Sequence, residues 1–171
     1  MTRRSLHSLV RALGPAATIV ATVGALARAD APPGQYSPFD RADQVITDAK
    51  TKLIWQRNVA LFTDFPGALA YCSALSLAAY TTGWRLPSYK ELLTLVDESP
   101  HLEYPTGAPQ LIAIDPSAFP GTPVSSAAPN YWSSSPDPNK ANTNVFVVDF
   151  MDGTAAFSTQ SGASAWVRCV R

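Results

Sequence analysis

The chain has little with which to do chemistry. It contains two histidines and two cysteines in 171 residues. No G-x-S-x-G elbow accompanies either histidine, so the sequence offers no triad nucleophile in its usual strand-to-helix turn. One zinc ion needs three or four nitrogen, sulfur or oxygen ligands, and so few histidines and cysteines make a zinc site a poor expectation. Charge is sparse at 15 %. There is no basic run, which argues against nucleic acid and anionic membrane surfaces as partners. No apolar run reaches the ~20 residues that a membrane-spanning helix needs.

The N-terminus does carry a recognisable pattern. Arg3, Arg4 and Arg11 are followed by an apolar stretch from Ala12 to Leu26, then by Ala27-Arg28-Ala29. A basic start, a short apolar core and an A-x-A site make a secretory signal peptide over residues 1–29, with Ala31 as a second cleavage option. No cysteine follows that would carry a lipid, and no membrane anchor is expected after cleavage. Processing would remove four arginines and His7, leaving 9 basic against 13 acidic residues, a net charge of −4, with His101 the one remaining histidine. The expected location is secreted or periplasmic. In such an oxidising compartment Cys72 and Cys169 most simply pair. Two free thiols, one of them catalytic, are the alternative.

Residues 30–44 are Pro-rich and read as a leader before one domain over 45–171. Val45-Ile46-Thr47 and Leu53-Ile54-Trp55 read as a hairpin around Asp48-Ala49-Lys50-Thr51. Asp64 before Phe65-Pro66 starts a first helix. The stripe Phe65, Leu69, Cys72, Leu75 and Ala79 should be its buried face. The run Gly83-Trp84-Arg85-Leu86-Pro87-Ser88-Tyr89-Lys90-Glu91 is the most distinctive segment. Its Ser88 and Glu91 form a capping box that starts a second helix, expected from Tyr89 to Glu98. Seven prolines between Pro100 and Pro129 then predict a long irregular region, with a turn at Ile114–Phe119 docking Phe119. Tyr131-Trp132-Ser133-Ser134 is a short strand. Asn144–Phe150 and Thr154–Ser158 flank Met151-Asp152-Gly153, the strongest hairpin signal in the chain. Of the faces of the first of these strands, Phe146, Val148 and Phe150 look more like core than Val145, Val147 and Asp149. Trp166–Val170 closes the domain.

These motifs, in this order, resemble the Lcl C-terminal domain family, a bacterial domain of unknown function named after a collagen-like adhesin. The resemblance rests on Asp48–Gln56, Ala68–Cys72, Trp84–Ser88 with Lys90-Glu91-Leu92, Ile114-Asp115 with Ala118–Pro120, Tyr131–Ser134 and Val167–Arg171. It departs at Lys52, where the family pattern commonly has glycine. The resemblance implies an α+β, C-type-lectin-like fold, also that of formylglycine-generating enzymes. Two helices would pack on short antiparallel sheets beside a long irregular loop region, and one disulfide would join the first helix to the last strand. Some relatives are adhesins or surface proteins that bind glycans or host surfaces.

The expected function is therefore a binding or surface-interaction module for a glycan or protein ligand, met by the loop from His101 to Asn130 and its neighbour from Ser133 to Asn142. Asn130, Trp132, Ser133, Ser134 and Arg85 are the candidate ligand-binding residues. An aromatic beside amide and hydroxyl groups can stack on a sugar. Trp132 also suits a core position, and Arg85 suits an internal pair with Glu91. No catalytic residue and no cofactor are expected. Calcium is not favoured, because Trp132-Ser133-Ser134 and Ala128-Pro129-Asn130 lack the carboxylates of a hard-cation site, although Asp137-Pro138-Asn139 keeps it open. The alternatives are an extracytoplasmic enzyme whose carboxylates converge only in the fold, and a structural envelope component. The alternative to cleavage is an uncleaved membrane anchor. Expression of the full chain in a bacterial host with a secretion system should yield a protein whose first residue, by intact mass, is Asp30, or Pro32 if the second site is used; retention of residues 1–29 in the membrane fraction would favour the anchor.

Overall fold

Asp48 organises the first part of the domain. Its carboxylate accepts the backbone N–H of Lys50 at 2.8 Å and the Thr51 hydroxyl at 2.8 Å. Such Asx turns reverse the chain at low cost. The turn joins β2 (Val45–Asp48) to β3 (Ile54–Gln56), antiparallel, with Ile46 opposite Trp55. The computed structural model describes residues 31–37, 44–59, 61–98, 100–103, 109–125, 127–128 and 130–171. The segment read as a signal peptide lies outside them. The Pro-rich leader is partly structural: β1 (Tyr36–Ser37) pairs with β2, and Tyr36 is buried in the core.

The first helix, α1 (Phe65–Ala74), begins as its sequence dictates. Asp64 accepts the Gly67 N–H, and proline occupies the first turn. It ends at Ala74, earlier than its apolar stripe suggested. Its buried face is Phe65, Ala68 and Cys72, while Leu69 is 42 % exposed. The helix is apolar nearly all round, so spacing alone does not select a face; the covalent bond at Cys72 does. The second helix, α2 (Tyr89–Leu93), has the full capping box at Ser88 and Glu91. It stops five residues short of the expected Glu98, because the Asp97 N–H leaves the helix to bond the Ala113 carbonyl at 2.8 Å.

The Pro-rich region holds more order than expected. β5 (His101–Glu103) and β6 (Gln110–Ile112) form a small antiparallel hairpin. Pro109 falls just before β6, where no ladder bond is lost. The turn after Ile114 does bury Phe119 completely.

The remaining strands build a five-stranded sheet. β4 (Leu61–Thr63), β10 (Ala165–Val167), β7 (Asn130–Pro136), β8 (Asn144–Asp149) and β9 (Ala155–Thr159) lie side by side in that order. β10 and β7 run parallel, and the other neighbours are antiparallel. The Asp-Gly turn closes the β8–β9 hairpin with Gly153 at φ +77°, and a Cβ there would come within 2.5 Å of Val96. Both faces of β8 are buried. Val148 and the following Phe150 belong to one apolar cluster with Trp55, Leu92 and Phe119; Val145 and Val147 belong to a second with Cys72, Trp84 and Trp132. The expectation that the face of Phe146, Val148 and Phe150 is the better core thus fails, because the sheet packs a separate apolar cluster against each face here. Phe146 is only half-buried.

The fold is α+β: two helices, sheets of three, five and two strands, and one disulfide, Cys72–Cys169. Among the described residues no helix is long and apolar enough to cross a membrane. Lys52 sits at φ 65°, where an L side chain is strained and glycine is not. Lys52→Gly should therefore raise the unfolding free energy by ~0.5–1 kcal/mol in chemical denaturation, net of the extra freedom glycine adds to the unfolded chain. A loss of stability would show that the side chain contributes contacts outweighing the strain.

Candidate functional site

The residues singled out from the sequence do not assemble into one site. Trp132 is fully buried; its indole N–H donates to the Thr63 carbonyl at 2.7 Å and its ring meets Phe65 edge-on at 5.7 Å. Ser133 is equally buried, its hydroxyl donating to the Phe146 carbonyl at 2.7 Å. Neither presents a group to a ligand, and the core position weighed for Trp132 is the one it takes. Ser134 is exposed but donates both its N–H and its hydroxyl to the Pro87 carbonyl. Asn130 is half-buried at the start of β7, opposite Asp149. Tyr131 and Trp132 point into separate apolar clusters on the two faces of the sheet, so the middle of a run that looked like a loop-side platform is enclosed, while its ends are not.

Arg85 pairs with Glu91 as expected, through two bonds of 2.6 and 2.8 Å. It is not the buried charge of the chain: its side chain is 49 % exposed. Its hydrogen bonds hold the Glu91 carboxyl down from its ordinary 4.5 to about 2, with the Ser88 N–H and hydroxyl helping and partial burial opposing. The pair braces the start of α2.

The deeply buried cations among the described residues are Arg168 and Arg57. Arg168 is fully enclosed and has no carboxylate among its hydrogen-bond partners. It donates to the carbonyls of Gln56 and Arg57 and to the Thr122 hydroxyl at 2.9 Å, and its guanidinium lies 4.6 Å from the Phe119 ring centre. Burial lowers its pKa. Arg57 donates from Nε to the Ala118 carbonyl and from Nη2 to that of Ser117, both at 3.0 Å. Sequence reasoning passed over both. The signal for Arg168 was present in Trp166-Val167-Arg168-Cys169-Val170: a charge inside an apolar closing strand has to be buried with partners.

Beside the turn that Arg57 holds lies an open cleft of about 520 Å³. Tyr36 comes from β1, Asp48, Lys50 and Thr51 from the β2–β3 turn, Thr94 to Glu98 from the chain leaving α2, and Asp115 from the turn held by Arg57. Asp115 accepts the N–H groups of Ser117 and Ala118 at 2.8 and 3.1 Å. Burial pushes the Tyr36 phenol up, and the nearby Asp48 and Asp115 push it further, so it stays a neutral hydroxyl. Among the described residues, four carboxylates and one ammonium line this space, beside the apolar Leu95 and Val96. The cleft suits neutral or cationic groups that donate hydrogen bonds, and it repels anions. Among the described residues no three histidine, cysteine or acidic side chains are grouped to hold a metal ion. Asp137, the residue that kept calcium open, accepts the Asn139 N–H at 2.8 Å in its own turn.

The fold is thus a disulfide-closed α+β domain with a polar cleft beside its Pro-rich region. A family model for the Lcl C-terminal domain matches residues 44–171, and the chain belongs to that family. No curated protein and no solved structure matches it.

Because the Glu91 carboxyl titrates lower in the folded chain, its contribution to stability is complete above about pH 4.5 and is lost as pH falls toward about 2. Glu91→Gln should cost about 1 kcal/mol at neutral pH, a figure kept small because Arg85 is half in solvent. The variant should also lose less stability than the wild type between pH 4.5 and 2. Equal acid sensitivity in urea titrations at both pH values would show that the ion pair does not act this way.

Proposed function

We propose that this chain is an extracytoplasmic binding module with a C-type-lectin-like architecture, and that it takes a glycan or protein ligand in the cleft beside Asp48 and Asp115. The open cleft carries this reading: Thr94 to Glu98, which lead into the Pro-rich region, and Asp115 inside it both line the cleft, and hydrogen-bond acceptors crowd its wall. A sugar offers many hydroxyl donors to such a wall. A peptide with lysine or arginine offers charged ones. The disulfide supports the location, since such bonds persist in oxidising compartments. Its link from α1 to the C-terminal segment supports the architecture.

A second reading has its own observation. Asp48, Asp97, Glu98 and Asp115 come from three separate stretches of chain and meet at one cleft, as an enzyme using converging carboxylates would require. Against it, Asp48 and Asp115 are already occupied as acceptors for the backbone of their own turns.

A glycan array and a basic-peptide array probed with the protein, each with calcium and with a chelator, test the proposal. Reproducible binding without calcium dependence is expected. Glu98→Lys, at an exposed position on the cleft wall, should weaken binding about tenfold or more, equivalent to ~1.4 kcal/mol. Binding unchanged by that substitution would place the ligand elsewhere; cleavage of a bound glycan would favour the enzyme.

A further inference from the structure

β9 ends the five-stranded sheet, and among the described residues one of its edges has no neighbour in that sheet. Four of its five residues are exposed and the fifth, Ser158, is half-buried. The direction of its backbone groups follows from its ends. The Thr154 carbonyl accepts the Asp149 N–H at 2.8 Å, and the Gln160 N–H donates to the Thr143 carbonyl at 2.8 Å. Residues 154 and 160 therefore face β8. Because antiparallel strands alternate, Ala155, Phe157 and Thr159 turn their N–H and C=O groups outward.

Natural sheet edges are usually blunted by lysine, proline, a bulge or shortness. β9 uses none of these. Its register against β8 runs unbroken from Ala155 to Thr159, and no charged residue occurs between Asp152 and Arg168. Two copies that meet along β9 therefore set no like charges of that strand opposite one another. The strand Ala155-Ala156-Phe157-Ser158-Thr159 is also self-complementary: small residues flank a central aromatic. Phe157 is 48 % exposed and lies 4.4 Å from Phe146, which stacks on Tyr89 at 4.2 Å. The aromatic row ends in solvent at the midpoint of the open edge.

We propose that two copies of this chain pair antiparallel through β9, about a two-fold axis at Phe157. Each outward Phe157 exchanges both backbone hydrogen bonds with its counterpart, and Ala155 does the same with Thr159 of the second copy. This is an isologous contact, so it closes at two copies. The two five-stranded sheets become one continuous sheet, and the aromatic row passes through the axis. No residue of β9 lines the cleft, so the dimer would carry two clefts.

Analytical ultracentrifugation of the protein over a wide concentration range should show twice the monomer mass at high concentration. Phe157→Glu and Phe157→Lys each set like charges opposite one another at the axis and should sediment as monomers. Mixed in equal amounts at low salt, they should form a dimer again. Ala155→Pro removes an outward N–H without touching the bonds to β8 and should also be monomeric. A wild-type monomer at every concentration overturns the proposal. So does a dimer that survives both charged substitutions, since the contact is then elsewhere, or the absence of a mixed dimer from two folded variants. Binding of an added extended peptide by a wild type that never dimerises would assign the edge to a foreign strand instead.

Discussion

The C-terminal segment from Ala165 to Arg171 holds both large sheets at once. As β10 it lies between β4 and β7. It then leaves that sheet, and the Gln56 N–H donates to the Cys169 carbonyl at 2.9 Å while Ile54 and Arg171 exchange two bonds of 2.9 Å. On its other side Arg85 and Val170 exchange bonds of 2.9 and 3.0 Å. One short stretch of chain therefore fixes the three-stranded sheet, the five-stranded sheet and the approach to α2. Cys169 adds α1 through the disulfide, which spans 97 residues. In a chain-entropy account a loop of that length restricts the unfolded state by ~4–5 kcal/mol.

Arg168 explains why this segment sits where it does. A guanidinium taken out of water is tolerated only where its hydrogen bonds are replaced. Carbonyls of Gln56 and Arg57 replace the bonds of Nη1 from β3 and the residue after it, Thr122 takes Nη2, and Nε has no hydrogen-bond partner among the described residues; the Phe119 face adds a favourable cation–π contact. The same Arg57 reaches the Ser117 and Ala118 carbonyls. Two arginines thus couple the closing strand, the hairpin and the turn at Asp115. The cleft inherits its shape from that coupling, since Asp48 and Asp115 are fixed by the elements these arginines join. Binding at a preformed wall loses less freedom than binding at a mobile loop.

Local signals were readable where the chemistry is local. The capping box at Ser88 and Glu91, the Asp64 cap with Pro66, the Asp-Gly turn and the Asx turn at Asp48 each involve groups within a few residues of one another. Each appears where the residue pattern places it. Spacing failed where a tertiary partner decided the outcome. Leu69 fits the α1 stripe as well as Ala68 does, and the disulfide turns Ala68 inward. Leu95 and Val96 continue a helical pattern, yet the Ala113 carbonyl draws Asp97 out of it. Trp132 and Ser133 resembled a loop-side platform because nothing in their own neighbourhood announces an interior strand.

By itself the sequence determined the kinds of element, their order, the pairing of the only two cysteines and the family. These depend on caps, turns and motif order, which are written over short spans. Only the tertiary structure decided which residues border the cleft and which strand ends with an open edge. Asp48, Glu98 and Asp115 lie far apart in the chain, and the order of strands in a sheet follows from long-range pairing. No local residue preference encodes either.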